Sequence, residues 1–310
     1  MIRIYILIFV LMFFLSCGNI VKDGYKTTSQ NKVFDIDYDN FYFTEEVEKI
    51  QLSFEEYPRS LNPFRAMSNS EIFLKTALFS TLFYINPKTS TPEKNMVSDY
   101  SITNEGLKYT FKINNNIKFI DGKILTVDDI IASLSLLNSV LKNSSIYGSF
   151  FITNTTLNFE KIDNYNFCII MDKPNSNILF ALSDFPVVKE ETVNLISNDI
   201  NKFVDLYITG VNYPVGTGPY MIKNVKENVI ELTKNPNYFK NNKKLPYSEE
   251  ISLNFYKDKN SSITEFINKN TDIISLNNDE KNDLYQIYSN SDDEIKFVNS
   301  QNDTTKIFLT

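Results

Sequence analysis

Histidine and tryptophan are absent from this chain of 310 residues. Losing His removes the commonest general base and the commonest metal ligand, so a Ser-His-Asp triad and a zinc centre are not expected. Cysteine is nearly absent too: Cys17 and Cys168 are the only two, which leaves no disulfide framework. Cys168, inside the apolar run Phe167 to Met171, reads as a buried, inert core thiol. A surplus of positive charge is also missing. The formal charge is −7, no basic cluster stands out, and a nucleic-acid partner is therefore not expected. What the chain has in quantity is aromatic residues, 25 Phe and 18 Tyr, ample for a core, and a length that exceeds what one compact core usually fills.

The amino-terminal segment carries Arg3 and then an apolar run from Ile4 to Leu15. That is shorter than the roughly twenty residues needed to cross a bilayer as a helix and fits the core of a signal peptide. Ser16-Cys17-Gly18 follows and resembles a bacterial lipoprotein cleavage site, although Phe14 and Leu15 are bulkier than that pattern prefers. Residues 1–16 are thus expected to be a signal peptide and Cys17 a lipid attachment site, with an ordinary secretory peptide carrying an incidental Cys as the alternative. Residues 17–45, rich in Asn, Asp, Lys and Tyr without periodicity, read as a tether.

The most orderly stretch runs from Gly106 to Leu137. Leu107, Tyr109, Phe111 and Ile113 alternate with polar residues as in a half-buried strand. Asn114 to Asn116 and Asp121-Gly122 are turn chemistry. Thr126 followed by Asp129 predicts a capped helix start, and Val127, Ile130, Ile131, Leu134, Leu137 and Leu141 form its apolar face, leaving Asp128, Asp129 and Ser133 for solvent. Elsewhere the patterns predict a strand through Ile50, Leu52 and Phe54, a helix from Ser70 to Leu82, and a hairpin from Phe159 to Met171 turning at Asp163-Asn164. A helix follows Pro174, and strands are expected over 220–225, 229–233, 251–256, 271–274 and 304–310, with a short helix over 262–268. Val215-Gly216-Thr217-Gly218-Pro219-Tyr220 reads as a rigid corner in which the two glycines supply backbone torsions closed to other residues. It lacks the spacing and the lysine of a phosphate loop.

Six segments occur in order: S-L-N-P at Ser60, L-F-S-T-L-F at Leu78, G-L-K-Y-T-F-K-I at Gly106, F-I-D-G-K-I-L-T-V-D-D-I-I-A-S at Phe119, V-G-T-G-P-Y at Val215 and K-N-P-N-Y-F at Lys234. Together they resemble the oligopeptide- and dipeptide-binding proteins of ABC importers, solute-binding protein family 5. The resemblance implies an α/β fold of the type II periplasmic-binding-protein kind: a first lobe from residues 46–68 and 184–310, an inserted subdomain over 69–183, and a second lobe missing from this sequence. It implies an extracytoplasmic lipoprotein that binds oligopeptides and delivers them to ABC permease subunits, without a cofactor, metal or catalytic residue. Its candidate ligand contacts are Tyr57, Ser60, Tyr147, Phe150, Thr217 and Gly218; for the aromatic segment around Tyr147, core packing is an equally good account. Family members close two lobes over an extended peptide, so weak or absent peptide binding is expected of this half alone unless a separately encoded second lobe completes it. The alternative is a surface lipoprotein that keeps half of the scaffold for adhesion or interaction. Carboxylate neighbours such as Glu55-Glu56 and Asp128-Asp129 do not make an enzyme, because sequence neighbours rarely share a site.

Overall fold

The computed structural model describes residues 47–86, 89–138, 155–197, 214–240, 246, 248–276, 280, 295–299 and 305–309. The expected signal peptide, Cys17, the tether, Tyr147 and Phe150 lie outside these residues. In chain order the described elements begin with β1 (Val47–Phe54), α1 (Asn69–Leu78), β2 (Phe83–Ile85), β3 (Pro92–Lys94), β4 (Val97–Thr103), β5 (Lys108–Ile113) and α2 (Val127–Asn138). They continue with β6 (Leu157–Lys161), β7 (Asn166–Met171), α3 (Ile178–Asp184), α4 (Glu190–Ser197), β8 (Tyr220–Lys226), β9 (Val229–Lys234) and β10 (Ser248–Phe255). The last are α5 (Lys259–Ile267), β11 (Ile273–Leu276), β12 (Ile295–Asn299) and β13 (Thr305–Leu309).

The chain divides into two compact units, one of Met1–Tyr57, Lys223–Thr233 and Pro246–Thr310, the other of Pro58–Ile222 and Lys234–Leu245. The first is built on a sheet of order β12-β13-β11-β1-β10-β9-β8. Strand β1 lies parallel to β10, from Val47↔Ser248 to Phe54↔Phe255, and parallel to β11 through Leu52↔Ile273. The β10-α5-β11 connection therefore crosses β1, a parallel crossover of the kind a helix provides. Helix α5 starts where the Asp258 carboxylate accepts the Ser261 N–H at 2.8 Å, a standard N-cap. The alternation seen in the sequence points Ile50, Leu52 and Phe54 to the same side as Ile251, Leu253 and Phe255, and all six are buried.

The second unit holds the antiparallel sheet β4-β5-β7-β6 and the small β2-β3 pair. Its centre is aromatic: Phe111 stacks on Phe167 at 5.1 Å and meets Phe83 edge-on at 6.0 Å, arrangements that add to plain burial. Asp163 turns the β6-β7 hairpin, its carboxylate accepting the backbone N–H groups of Tyr165 and Asn166. Cys168 is buried on β7, its Sγ 3.3 Å from the Thr110 hydroxyl.

Two local expectations are corrected. Helix α1 stops at Leu78, not Leu82, and Phe79 is already extended. The glycine corner takes up the end of that helix, as described below. Ser133, expected at the surface of α2, is fully buried: its hydroxyl donates to the Val188 carbonyl and accepts the Val188 N–H, both at 3.0 Å. A polar residue on a helix face reads as solvent-facing only until a neighbouring segment covers it. Strands β2, β3, β4 and β12 had no sequence signal, because β2 and β3 are three residues long and β4 buries little beyond Val97. The segment after α3 lies along the end of α1, where Pro186 bridges Thr81 and the Val187 N–H bonds the Ser80 carbonyl at 3.1 Å.

Candidate functional site

Within the second unit, four of the six sequence segments meet around the end of α1. The Gly218 N–H donates to the Leu78 carbonyl at 3.0 Å, capping the helix, and the Ser80 hydroxyl donates to the Thr217 carbonyl at 3.0 Å. The Gly216 carbonyl accepts the Ile120 N–H of the Phe119–Gly122 turn at 3.0 Å. Buried Asn235 donates its amide to the Gly218 carbonyl at 2.8 Å, while the Asn237 amide reaches the carbonyls of Phe119 and Ile120. The glycines serve this approach rather than unusual torsions. A Cβ on Gly216 would stand 1.9 Å from the Leu78 carbonyl oxygen, and one on Gly218 would stand 2.4 Å from that of Ala77. Neither is among the positive-φ glycines of the described residues, which are Gly106 and Gly122.

Charge pins the same region. Lys189 is buried, pairs with Asp121 and lies over the Phe119 ring at 5.2 Å. Partial burial works to raise the Asp121 pKa, but the bonds from Lys189 and the Lys123 N–H, together with the charges of both lysines, outweigh it and the carboxyl titrates below its usual range. Lys123 pairs with Glu191 at 2.5 Å, so the Asp121-Gly122 turn is tied to the start of α4.

At the other end of α1 the S-L-N-P segment forms a closely bonded loop. One oxygen of Glu71 accepts the N–H groups of Arg59 at 2.9 Å and Ser60 at 3.3 Å; the other accepts those of Met67 at 2.9 Å and Ser68 at 3.1 Å. Ser68 returns the favour as N-cap, its hydroxyl accepting the Glu71 N–H, which completes a capping box. Buried Asn62 donates its N–H to the Ser60 hydroxyl and accepts the Phe64 N–H, each at 3.0 Å, and Phe64 packs on Phe185 at 5.2 Å. Glu71 is the organising residue that sequence reading missed; the signal for it was Ser68 followed three positions later by Glu.

In the first unit, Tyr57 sits just past β1. It is 40% exposed and tilts onto Phe255 at 4.7 Å, with Phe54 a further 6.0 Å away across the β1/β10 pair. These rings stand at the C-terminal ends of parallel strands, where β1 has parallel neighbours on both sides. Below them Lys259 pairs with Glu55 and donates to the Ser275 carbonyl at 2.6 Å.

The sequence candidates thus fall in different places. Tyr57 belongs to the first unit, and Ser60, Thr217 and Gly218 to the second. Ser60 lies beside the first turn of α1 and Thr217-Gly218 beside its last, about 15 Å apart for a ten-residue helix. Thr217 is 0% exposed, and its hydroxyl oxygen has no hydrogen-bond partner among the described residues. A surface hollow of about 710 Å³ lies elsewhere in the second unit, at Lys112, Asn114, Asp163 and Tyr165. The Asp163 carboxylate there is already spent on the hairpin turn. Among the described residues no group of three or more His, Cys, Asp or Glu is arranged to hold a metal ion, and no helix is long and apolar enough to cross a membrane.

Residues 91–309 match the model of the bacterial extracellular solute-binding proteins, family 5, middle region. The chain belongs to solute-binding protein family 5. A probable ABC transporter-binding protein of Deinococcus radiodurans is 26% identical over 76% of this chain and 41% of its own length. A nickel-binding protein, NikA, of Staphylococcus aureus is 26% identical over 70% of this chain and 39% of its own. Among solved structures, the oligopeptide-binding protein AppA of Bacillus subtilis, in complex with a nonapeptide, superposes with a TM-score of 0.68. At 19% identity, that match covers 82% of this chain and 48% of AppA. This chain therefore spans about half the length of the relatives it matches. Four of the six segments are the pieces that bind the end of α1, the Phe119 turn and the glycine corner to one another.

Proposed function

We propose that this protein is the substrate-binding component of an ABC importer that takes up peptides, acting by binding and delivery rather than catalysis. The observation that carries the reading is the aromatic step of Tyr57 on Phe255 at the C-terminal ends of β1 and β10. In open α/β sheets the crevice outside the strand ends, at the point where connections diverge, is where ligands settle. Here β1 has β10 on one side and β11 on the other, and the half-exposed Tyr57 ring supplies an apolar face that tolerates varied side chains. Ser60 is proposed separately as a polar ligand contact of the second unit. Tyr147 and Phe150 are proposed as further wall residues. Thr217 and Gly218 act through the corner they build against α1, since both are buried.

Outside the binding surface, the reading has the protein tethered to a membrane by a lipid on Cys17, facing the permease subunits of the importer from the extracytoplasmic side. It also has a second lobe, in continuation or encoded separately, closing over the ligand and completing its burial.

Isothermal calorimetry with a defined pool of two- to nine-residue peptides tests the ligand class. Without a second lobe to close over the ligand, weak binding is expected, with Tyr57→Ala weakening it about tenfold further, roughly the 1.4 kcal/mol that a lost aromatic contact contributes. Binding of a nickel complex in place of every peptide would sink the peptide reading. For the anchor, metabolic labelling with a tagged fatty acid should mark the wild type and not Cys17→Ala.

A further inference from the structure

The loop from Arg59 to Ser68 is unusual for an irregular segment in how few of its backbone N–H groups are left to solvent. Those of Arg59, Ser60, Met67 and Ser68 go to Glu71, that of Asn62 to the Ser60 hydroxyl, that of Phe64 to the Asn62 amide oxygen and that of Arg65 to the Asn62 carbonyl. Pro63 has none to give. Four of these bonds end on one carboxylate, itself buried and fixed to the first turn of α1 by the capping box. Loops are ordinarily the mobile part of a fold; this one is held from both ends by a single side chain. Meanwhile it exposes Met67, 73% accessible, and leaves Ser60 half-buried.

We propose that Glu71 is the positioning residue of the ligand-contacting loop, holding residues 59–68 in the one backbone conformation that presents Ser60 to a bound peptide. A carboxylate can do this because each oxygen accepts two N–H groups at once; a neutral amide has one accepting oxygen and would turn an N–H₂ toward two donors. The lowered pKa of Glu71 fits this role: burial alone would raise it, and the four N–H donors more than offset that. The ligand half of the inference rests on the peptide-binding reading above, whereas the loop half does not.

The test uses the full chain in three forms: wild type, Glu71→Gln and Asp129→Ala. Asp129→Ala removes the acceptor of the Thr126 and Glu190 N–H groups in the same unit and leaves the loop and its Glu71 carboxylate untouched, so it serves as the control for simple loss of stability. Amide hydrogen exchange read by NMR, below the melting transition of all three, should show the N–H groups of Arg59, Ser60, Met67 and Ser68 exchanging about tenfold faster or more in Glu71→Gln. Amides of β5 and β7 in the same unit should be unchanged. Affinity for the peptide pool should fall about tenfold in Glu71→Gln and stay at the wild-type value in Asp129→Ala. Two results would overturn the proposal: loop amides as protected in Glu71→Gln as in the wild type, or an affinity loss in Asp129→Ala equal to that in Glu71→Gln. If the wild type ignores the pool altogether, the peptide reading fails, and faster loop exchange in Glu71→Gln still supports the positioning role.

Discussion

At the scale of single residues, space and charge each set one demand that can be measured. Gly218 leaves no room for a methyl group against the Ala77 and Leu78 backbone. Gly218→Ala is expected to lower stability by about 3 kcal/mol, because backbone rather than a flexible side chain stands in the way. A urea midpoint within experimental error of the wild type would show that the corner yields. Glu71 sets a pH dependence. Its pKa in the folded protein is below the usual 4.5, so the stability it contributes is fully present above about pH 4.5 and is lost as the pH falls through the folded value. The difference in unfolding free energy between wild type and Glu71→Gln should be about 1–3 kcal/mol near neutrality and shrink toward acid. A difference constant from pH 7 to 3 would mean that the carboxylate charge is not what the loop uses. Neither residue's role was open to sequence reading in full. The glycines were legible as a corner, but whether they served torsion or approach depended on what lay opposite them.

Single elements show the same mixture. Helix α2 was legible from its periodicity and from Thr126 followed by Asp129, since spacing on one helix is a local property. Its two acidic residues, however, do unequal work. The Asp129 carboxylate accepts the Thr126 N–H at 2.9 Å, takes the Thr126 hydroxyl at 3.3 Å and accepts the Glu190 N–H at 3.0 Å, so it both starts α2 and docks α4. Asp128 makes a half-exposed pair with Lys161. Chemical denaturation should place Asp129→Ala about 1–2 kcal/mol below wild type and Asp128→Ala about 0.5 kcal/mol below it; the reverse order would refute this division. Strand β4 marks the opposite case. Val-Ser-Asp-Tyr-Ser-Ile-Thr has no sustained alternation of buried residues, and it is a strand because β5 pairs with it from Thr103↔Lys108 to Val97↔Ile113.

For the molecule as a whole, connectivity predicts the order of folding. The second unit is nearly one continuous stretch, whereas the sheet of the first joins β1 to β10 across all of Pro58–Ile222. Long-range parallel pairing carries the larger loop-closure cost and comes late. Pulsed hydrogen exchange during refolding should therefore protect β5 and β7 before β1 and β10, and simultaneous protection of the two sheets would contradict this. By itself the sequence determined the longer periodic elements such as β1, β5 and α2, the absence of His-based chemistry, and membership of solute-binding protein family 5 through six segments in order. All of these depend on residue type and short spacing. Only the tertiary structure decided that β1 lies between β10 and β11, that the second unit extends to Ile222, and that Glu71 holds the loop around Ser60. Those facts are adjacencies between residues far apart in the chain, and packing and hydrogen-bond closure, not periodicity, select them.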